Sequence, residues 1–309
     1  MEPGCSVVIP TRDCLPYLKE AIRSVIEQAF QPLELIVVDD GSTDGTGEWL
    51  SRLAVDCDEL VALQGPAKGP ASARNLAISK ARYSHVAFLD ADDIWYPGKL
   101  AEQMRWHFEQ PNALFSFTDY RHVGMAGEDL GTCFEFWQGH LNARPEEHYQ
   151  LLQDPLAALL STNIVGTSSV VAKTEALRYA NGFATALPSA EDWDLWLKLA
   201  EKGAVGISGT VTMDYLMRPG SETQKRQARI DAMNTIIARY EDNASPAVQA
   251  ALKKARANIL VATAEKELEE GNPSAALRTH IKAAMLNPDK RTLHAVLSDA
   301  KALLVSKSA

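Results

Sequence analysis

Long apolar runs are missing from this 309-residue chain, and so are basic clusters and spaced pairs of cysteine. A membrane-crossing helix needs about 20 consecutive apolar residues. Nothing here approaches that, so no transmembrane segment is expected. Lys and Arg number 31 against 40 Asp and Glu, for a formal charge of -9, and no Lys/Arg-rich run occurs. Such a surface does not suit nucleic acid. Cys5, Cys14, Cys57 and Cys133 lack metal-ligand spacing. Cys5 lies in a β-branched run and reads as a small core residue, and disulfides are not expected. Met1-Glu2-Pro3-Gly4 leads straight into that run, so no signal peptide is expected. The expected location is the cytoplasm, at most peripheral to a membrane. What is present is ordinary for a folded protein: 46% hydrophobic and 23% charged residues. The length suffices for a full α/β core and a smaller additional unit.

Acidic residues gather where apolar runs stop. The run from His85 to Leu89 ends at Asp90-Ala91-Asp92-Asp93. Ser6 to Ile9 ends at Pro10-Thr11-Arg12-Asp13, and Leu33 to Val38 ends at Asp39-Asp40-Gly41-Ser42-Thr43-Asp44. Leu15, Leu18, Ile22, Val25, Ile26 and Ala29 recur at helical spacing, as do Ala73, Leu76, Ala77 and Ala81. Alternating strands and helices with short turns imply a parallel sheet covered on both faces. Ligands of such sheets bind beyond the carboxyl ends of the strands. In an extended segment Asp90 and Asp92 point to one side. Carboxylates facing one small volume repel unless a cation sits among them. Hard divalent ions, Mn²⁺ or Mg²⁺, take oxygen ligands and arrive with phosphates. The alternative is an acidic turn that caps a helix starting near Pro97. Asp40, Ser42 or Asp44 could likewise do no more than start the helix from Thr46 to Leu53.

Four ordered motifs carry a resemblance: Val7-Val8-Ile9-Pro10-Thr11-Arg12-Asp13, Val37-Val38-Asp39-Asp40-Gly41-Ser42-Thr43-Asp44, Gly69-Pro70-Ala71-Ser72-Ala73-Arg74-Asn75 and Phe88-Leu89-Asp90-Ala91-Asp92-Asp93. Over residues 5 to 220 the chain resembles glycosyltransferase family 2. Ala190-Glu191-Asp192-Trp193-Asp194-Leu195-Trp196 looks like that family's acidic catalytic helix. The resemblance implies a GT-A nucleotide-sugar fold with a mostly parallel central sheet, occupying 1–220. It further implies an inverting, metal-dependent transferase that moves a sugar from a nucleotide-diphosphate sugar, most simply a UDP-sugar, to a saccharide or other hydroxyl acceptor. Polysaccharide or glycoconjugate biosynthesis is the implied setting.

The resemblance also implies roles. Pro10, Thr11, Asp13, Asp39, Asp40, Lys68, Arg74, Asp90 and Ala91 fall to the nucleotide, and Asp92 with Asp90 to the metal. Which of Asp39 and Asp40 faces the base stays open. Asp192 is the implied base, with Glu191 beside it; on composition alone both could simply be first-turn acids behind a Ser189 cap. Asp194, two residues on, points about 200° away on a helix. Arg218 departs from the pattern, since many relatives carry histidine there. Arginine cannot ligate a metal but can grip a diphosphate. Residues 119 to 150, with Phe134, Phe136, Trp137 and Tyr149, show no clean periodicity and could hold an acceptor or seal the core.

From 221 to 309 the chain turns alanine-rich. Helices are expected at 222–243, 246–270, 274–287 and 289–305, broken at Gly271-Asn272-Pro273 and Asn287-Pro288. Part of this resembles a tetratricopeptide-like hairpin. A single hairpin cannot bury its own apolar face. It should pack on the catalytic part, on another subunit or on a partner protein. A second reading therefore makes the chain a degenerate transferase acting as a scaffold through this tail. Intact Asp90, Asp92 and Asp192 count against it. A phospho-receiver's acidic pocket would explain Asp39-Asp40 but neither the Asp90 cluster nor the Glu191 helix.

Overall fold

Period-two alternation decides which side of the sheet each strand residue serves. Val7 and Ile9 enter one apolar core and Val8 the other; Leu35 and Val37 divide from Ile36 and Val38 in the same way. In the computed structural model, which describes residues 1–137, 145–218 and 226–308, the first half alternates as the sequence implies. Its elements are β1 (Glu2–Thr11), α1 (Leu15–Ile26), β2 (Leu33–Asp39), α2 (Thr46–Asp56), β3 (Leu60–Gln64), α3 (Pro70–Lys80) and β4 (Tyr83–Phe88). There follow β5 (Ile94–Trp95), α4 (Lys99–Glu109), β6 (Ala113–Val123), β7 (Asp129–Thr132), α5 (Cys133–Phe136), β8 (Gln150–Leu151) and α6 (Pro155–Ser161). A 3₁₀ turn at Thr167–Ser169 then precedes β9 (Val171–Lys173), α7 (Thr174–Tyr179), α8 (Glu191–Ala200) and β10 (Ala204–Leu216). The tail is α9 (Arg226–Ala238), α10 (Pro246–Glu269), α11 (Pro273–Leu286) and α12 (Lys290–Ser308).

The strands form one sheet in the order β3-β2-β1-β4-β9-β6-β10-β5, with β7 on β6 and β8 on β10. From β3 to β4 every pairing is parallel. Beyond β4 the sheet is mixed. β9 runs antiparallel to both β4 and β6. The chain reaches β9 from the 3₁₀ turn, which lies at the carboxyl end of β4: Val170 accepts the Phe88 N–H, and Ala87 sits opposite Val171. β9 must therefore start where β4 stops. The long strands β6 and β10 carry the far half of the sheet, although their sequences show little periodicity.

Helix faces follow the spacing. Leu18, Ile22 and Val25 of α1 are buried, with Leu100 and Met104 of α4 on the same side. Ile26 is exposed and Ala29 lies past the helix at a positive φ, so the α1 stripe is shorter than its spacing implied. Cys5 is fully buried, and burial pushes its thiol up to about 12. All four cysteines are free thiols. No described helix is long and apolar enough to cross a membrane.

The tail helices fall close to the expected ranges; the boundary expected at 220/221 lies outside the described residues. α9 and α10 do not stand apart. Ile230, Ile236, Val248 and Leu252 belong to the same buried cluster as Phe88, Trp193 and Trp196. Asp194, 1% exposed, faces away from the acids at the start of α8, as its helical phase requires. It pairs with Lys198 one turn on, at 2.7 Å, and with Arg239 beyond the end of α9. A buried carboxylate without cations would cost several kcal/mol, so this pair fixes where α9 docks. Leu252 is fully buried where α10 joins the shared core. Leu252→Ala should lower stability by about 3 kcal/mol. Urea denaturation should show one transition moved to lower urea; a separate early transition for the tail would mean that the two parts fold independently.

Candidate functional site

Three parallel strands end side by side. Thr11 of β1 pairs with Asp39 of β2, and Val8 of β1 pairs with Phe88 of β4, two residues before Asp90. The loops leaving these strands hold one another. Asp13, at φ +48°, accepts the N–H and hydroxyl of Thr43, and its own N–H donates to Ser42. Asp44 accepts the N–H of Leu15 and both the N–H and hydroxyl of Thr46. The Thr46 hydroxyl holds the Asp44 carboxyl below its usual range. Of Asp40, Ser42 and Asp44, it is therefore Asp44 that binds the first residues of α1 and α2, while Gly45 occupies the cap position of α2.

Asp39 and Asp40 divide. Asp39 turns back on its own loop, where Oδ1 accepts the Ser42 N–H at 2.8 Å. Asp40 reaches across to the third motif: Oδ2 accepts the Gly69 N–H at 2.6 Å. Its other oxygen is buried and unpartnered, as is the Thr11 hydroxyl. Gly65 allows this approach, since a Cβ there would lie 2.6 Å from Asp40 Oδ1. Lys68 is exposed on the loop between Ala67 and Gly69, both at positive φ.

The Asp90 turn is closed by a hydrogen bond from the Asp93 N–H to the Asp90 carbonyl. Asp90 and Asp92 are partly exposed, Ala91 is buried and Asp93 points inward, 1% exposed. Asp93 accepts the Ser168 hydroxyl at 2.5 Å and the Leu216 N–H at 3.2 Å. Burial, then the charges of Asp90 and Asp92, push its carboxyl well above the usual carboxylate range. Arg218 covers the opposite side: its Nε donates to Asp92 Oδ2 at 2.5 Å, and its guanidinium lies 5.8 Å from the Tyr17 ring. The hydrogen bond to Asp92 holds the Arg218 pKa above its ordinary value.

Arg74 joins the two acidic segments. It projects from the first turns of α3, 6% exposed, and donates to Asp90 Oδ1 at 2.6 Å and to Glu191 Oε1 at 3.3 Å. Its guanidinium lies 5.3 Å from the Phe183 ring. Asn75 beside it fixes that ring's backbone by two 2.8 Å hydrogen bonds with Phe183. Burial, then the Asp192 charge, raise the Glu191 pKa despite Arg74. Ala190, at φ +55°, precedes α8 and no side chain caps it, so Ser189 is not the cap. Asp192 accepts the Thr167 hydroxyl at 3.2 Å and the Trp193 N–H at 2.6 Å. Buried Trp193, Trp196, Leu197 and Ala200 seat the helix as their spacing implied.

The 3₁₀ turn is the part that sequence reasoning missed. Ser168 accepts the Asp90 N–H at 2.9 Å while donating to Asp93, and neighbouring Thr167 holds Asp192. Three consecutive hydroxyl residues, Thr167-Ser168-Ser169, between apolar segments were the available signal. Gly166 before them lets Tyr120 approach: a Cβ there would lie 2.5 Å from its ring. In the region from 119 to 150, Phe134 is buried while Phe136 is exposed; residues 138–144 lie outside the described part.

Among the described residues no three His, Cys, Asp or Glu side chains converge as a ready metal cage. Asp90 and Asp92, both partly exposed, are hard oxygen donors of the kind a divalent ion takes, each with one oxygen bonded to an arginine. Arg74→Met would leave Asp90 and Glu191 facing each other without a cation. A stability loss of about 3 kcal/mol at neutral pH is expected. Protonating the carboxylates relieves their repulsion, so the loss should shrink as pH falls toward 4.5, the ordinary value for Glu191. Urea titrations across that range check it; a pH-independent loss would mean that packing, not charge, sets the cost.

Residues 6–154 match the family model described as Glycosyl transferase family 2. An uncharacterized glycosyltransferase of Rickettsia felis is 32% identical over 202 residues, covering 65% of this chain and 31% of that protein. The Escherichia coli UDP-Glc:alpha-D-GlcNAc-diphosphoundecaprenol beta-1,3-glucosyltransferase WfaP is 28% identical over 199 residues, 64% of this chain and 70% of that one. The mannosyltransferase PcManGT of Pyrobaculum calidifontis, solved with GDP-Man and Mn²⁺, superposes with a TM-score of 0.67 at 23% identity, covering 99% of this chain and 81% of that one. The fold is therefore GT-A.

Proposed function

We propose, on the match of residues 6–154 to glycosyltransferase family 2, that the chain is a member of that family and catalyses metal-assisted, inverting transfer of a sugar from a nucleoside-diphosphate sugar to an acceptor hydroxyl. The observation that carries this reading is the convergence of two acidic segments, Asp90–Asp93 and Glu191–Asp192, on Arg74 and the Thr167–Ser169 turn. The donor is a UDP-sugar, and the acceptor belongs to polysaccharide or glycoconjugate synthesis; the name of the Escherichia coli relative supports both.

The nucleoside sits against the ends of β1 and β2. The unpartnered Asp40 oxygen and Thr11 hydroxyl favour Asp40 over Asp39 as the acceptor of a base N–H, because an unpaired buried oxygen is costly. Pro10 and Asp13 shape that loop, and Lys68 supplies charge from the rim. Asp92 and Asp90 hold Mn²⁺ or Mg²⁺, as the Mn²⁺ in the Pyrobaculum structure suggests. When bound, the ion neutralises charge growing on the leaving diphosphate. Arg218 swings from Asp92 toward the diphosphate, for which its guanidinium fork is suited. Arg74 keeps Asp90 and Glu191 in place rather than reaching the ligand itself.

At the other end Asp192 takes the proton of the acceptor hydroxyl. The hydroxyl oxygen forms its bond to the anomeric carbon as the bond from that carbon to the diphosphate breaks. Attack from the face opposite the leaving group inverts the centre in one step. Thr167 and the Trp193 N–H hold the Asp192 carboxylate in position while it waits. Glu191, whose Oε1 is tied to Arg74 at 3.3 Å, is the poorer candidate for the base because that oxygen is already engaged by a cation.

Two experiments test the reading. Calorimetry should find UDP binding strong with Mn²⁺ and weakened at least tenfold with EDTA, because bare Asp90 and Asp92 repel a diphosphate. Equal affinities would remove the metal from the site. Asp192→Asn should cut transfer by roughly 10²- to 10⁴-fold while leaving donor affinity within about threefold. Near-normal turnover would move the base elsewhere, with Glu191 next.

A further inference from the structure

Among the described residues, nothing covers the outer face of the hairpin of α11 and α12. In α11, Ala276, Thr279, His280 and Ala283 are buried, and Arg278, Ile281, Lys282 and Met285 fall on the opposite stripe. In α12, Thr292 and Asp299 are buried, while Leu293 and Leu297 are exposed one turn apart between Lys290 and Lys301. Met285 is 81% exposed and Leu297 69%. His280 and Asp299, both buried, meet at 2.7 Å and tie the two helices together through their inner faces. Both apolar stripes therefore point away from the hairpin's own contact.

Charge on this hairpin runs against the rest of the molecule. Between 273 and 303 lie five Lys and Arg and only two acids, in a chain of formal charge -9. Of those acids, Asp299 is buried, and Asp289 is occupied in the turn by Thr292 and Asn287. The exposed face is thus apolar residues flanked by cations without an exposed acid. At the turn, Arg291 packs 5.7 Å from the ring of Phe136 and 5.0 Å from that of Trp137. Phe136 is itself 67% exposed.

We propose that this face docks on an anionic lipid membrane. Helices that lie in the membrane interface combine an apolar stripe with flanking Lys and Arg; the stripe enters the acyl boundary and the cations meet acidic headgroups. A symmetric pairing of two copies through this face would set lysine against lysine. An apolar protein groove would use the leucines and leave the cations idle.

The test is flotation of the full chain with phosphatidylcholine vesicles, with and without phosphatidylglycerol. Binding is expected only to the anionic vesicles and should weaken with salt. Lys282→Gln and Lys301→Gln should each lower partitioning roughly fivefold, the equivalent of one surface lysine. Met285→Asp with Leu297→Asp should abolish it. Both positions are exposed, so circular dichroism and thermal melting should match the parent protein. No binding, equal binding to both vesicles, or binding indifferent to these substitutions would overturn the proposal. So would light scattering that shows a dimer dispersed by Met285→Asp, which would assign the face to a second copy.

Discussion

Mutual repulsion among carboxylates is the constraint around which this molecule is organised. Asp90, Asp92, Asp93, Glu191 and Asp192 are drawn to one end of the sheet from two segments far apart in the chain. They are handled in three ways. Asp90 and Glu191 share the buried Arg74. Asp92 meets Arg218. Asp93 is pushed by burial toward its neutral form, and Asp192 is held by a hydroxyl and a backbone N–H. Removing charge from the interior or pairing it avoids the cost of an isolated buried ion.

The same constraint gives the second half of the chain its shape. The acids of α8 must come near the Asp90 turn, so α8 needs support from behind. Trp193 and Trp196 supply an apolar anchor, and Asp194 supplies an ionic one through Lys198 and Arg239. The tail is thereby continuous with the core beneath the sheet. One helix carries acids toward the site on one face and a docking pair for α9 on the other. A change at Arg239 would act on the site through α8, because Arg239 pairs with Asp194 on the face opposite Glu191 and Asp192.

Much of the first half was legible in the chain. The acids after β1, β2 and β4 stand where apolar runs stop, and parallel pairing brings such ends together without further information. The stripe of α8 was equally clear, because tryptophan and leucine at helical spacing have one way to face a core. The tail's helices were bounded by Gly271, Pro273 and Pro288. Less visible was the mixed half of the sheet. β6 and β10 are long and covered on both faces over much of their length, so they lack the alternation that marks a half-exposed strand. The 3₁₀ turn at Thr167–Ser169 left only its hydroxyl run as a signal, which has no periodicity and acquires meaning from what stands opposite it.

The sequence by itself determined the inventory: which acids end which strands, which helix carries Glu191 and Asp192, and the basic, apolar character of the last hairpin. These depend on neighbours within a few residues, where periodicity and strand ends are written. Tertiary structure alone decided the pairings. Arg74 reads as a ligand-facing cation in the chain and becomes a bridge between Asp90 and Glu191 only when residues 74, 90 and 191 meet. Asp39 and Asp40 are indistinguishable until Gly69 arrives to bind one of them. An ion pair or a buried hydrogen bond depends on distance and burial together, and the fold supplies both.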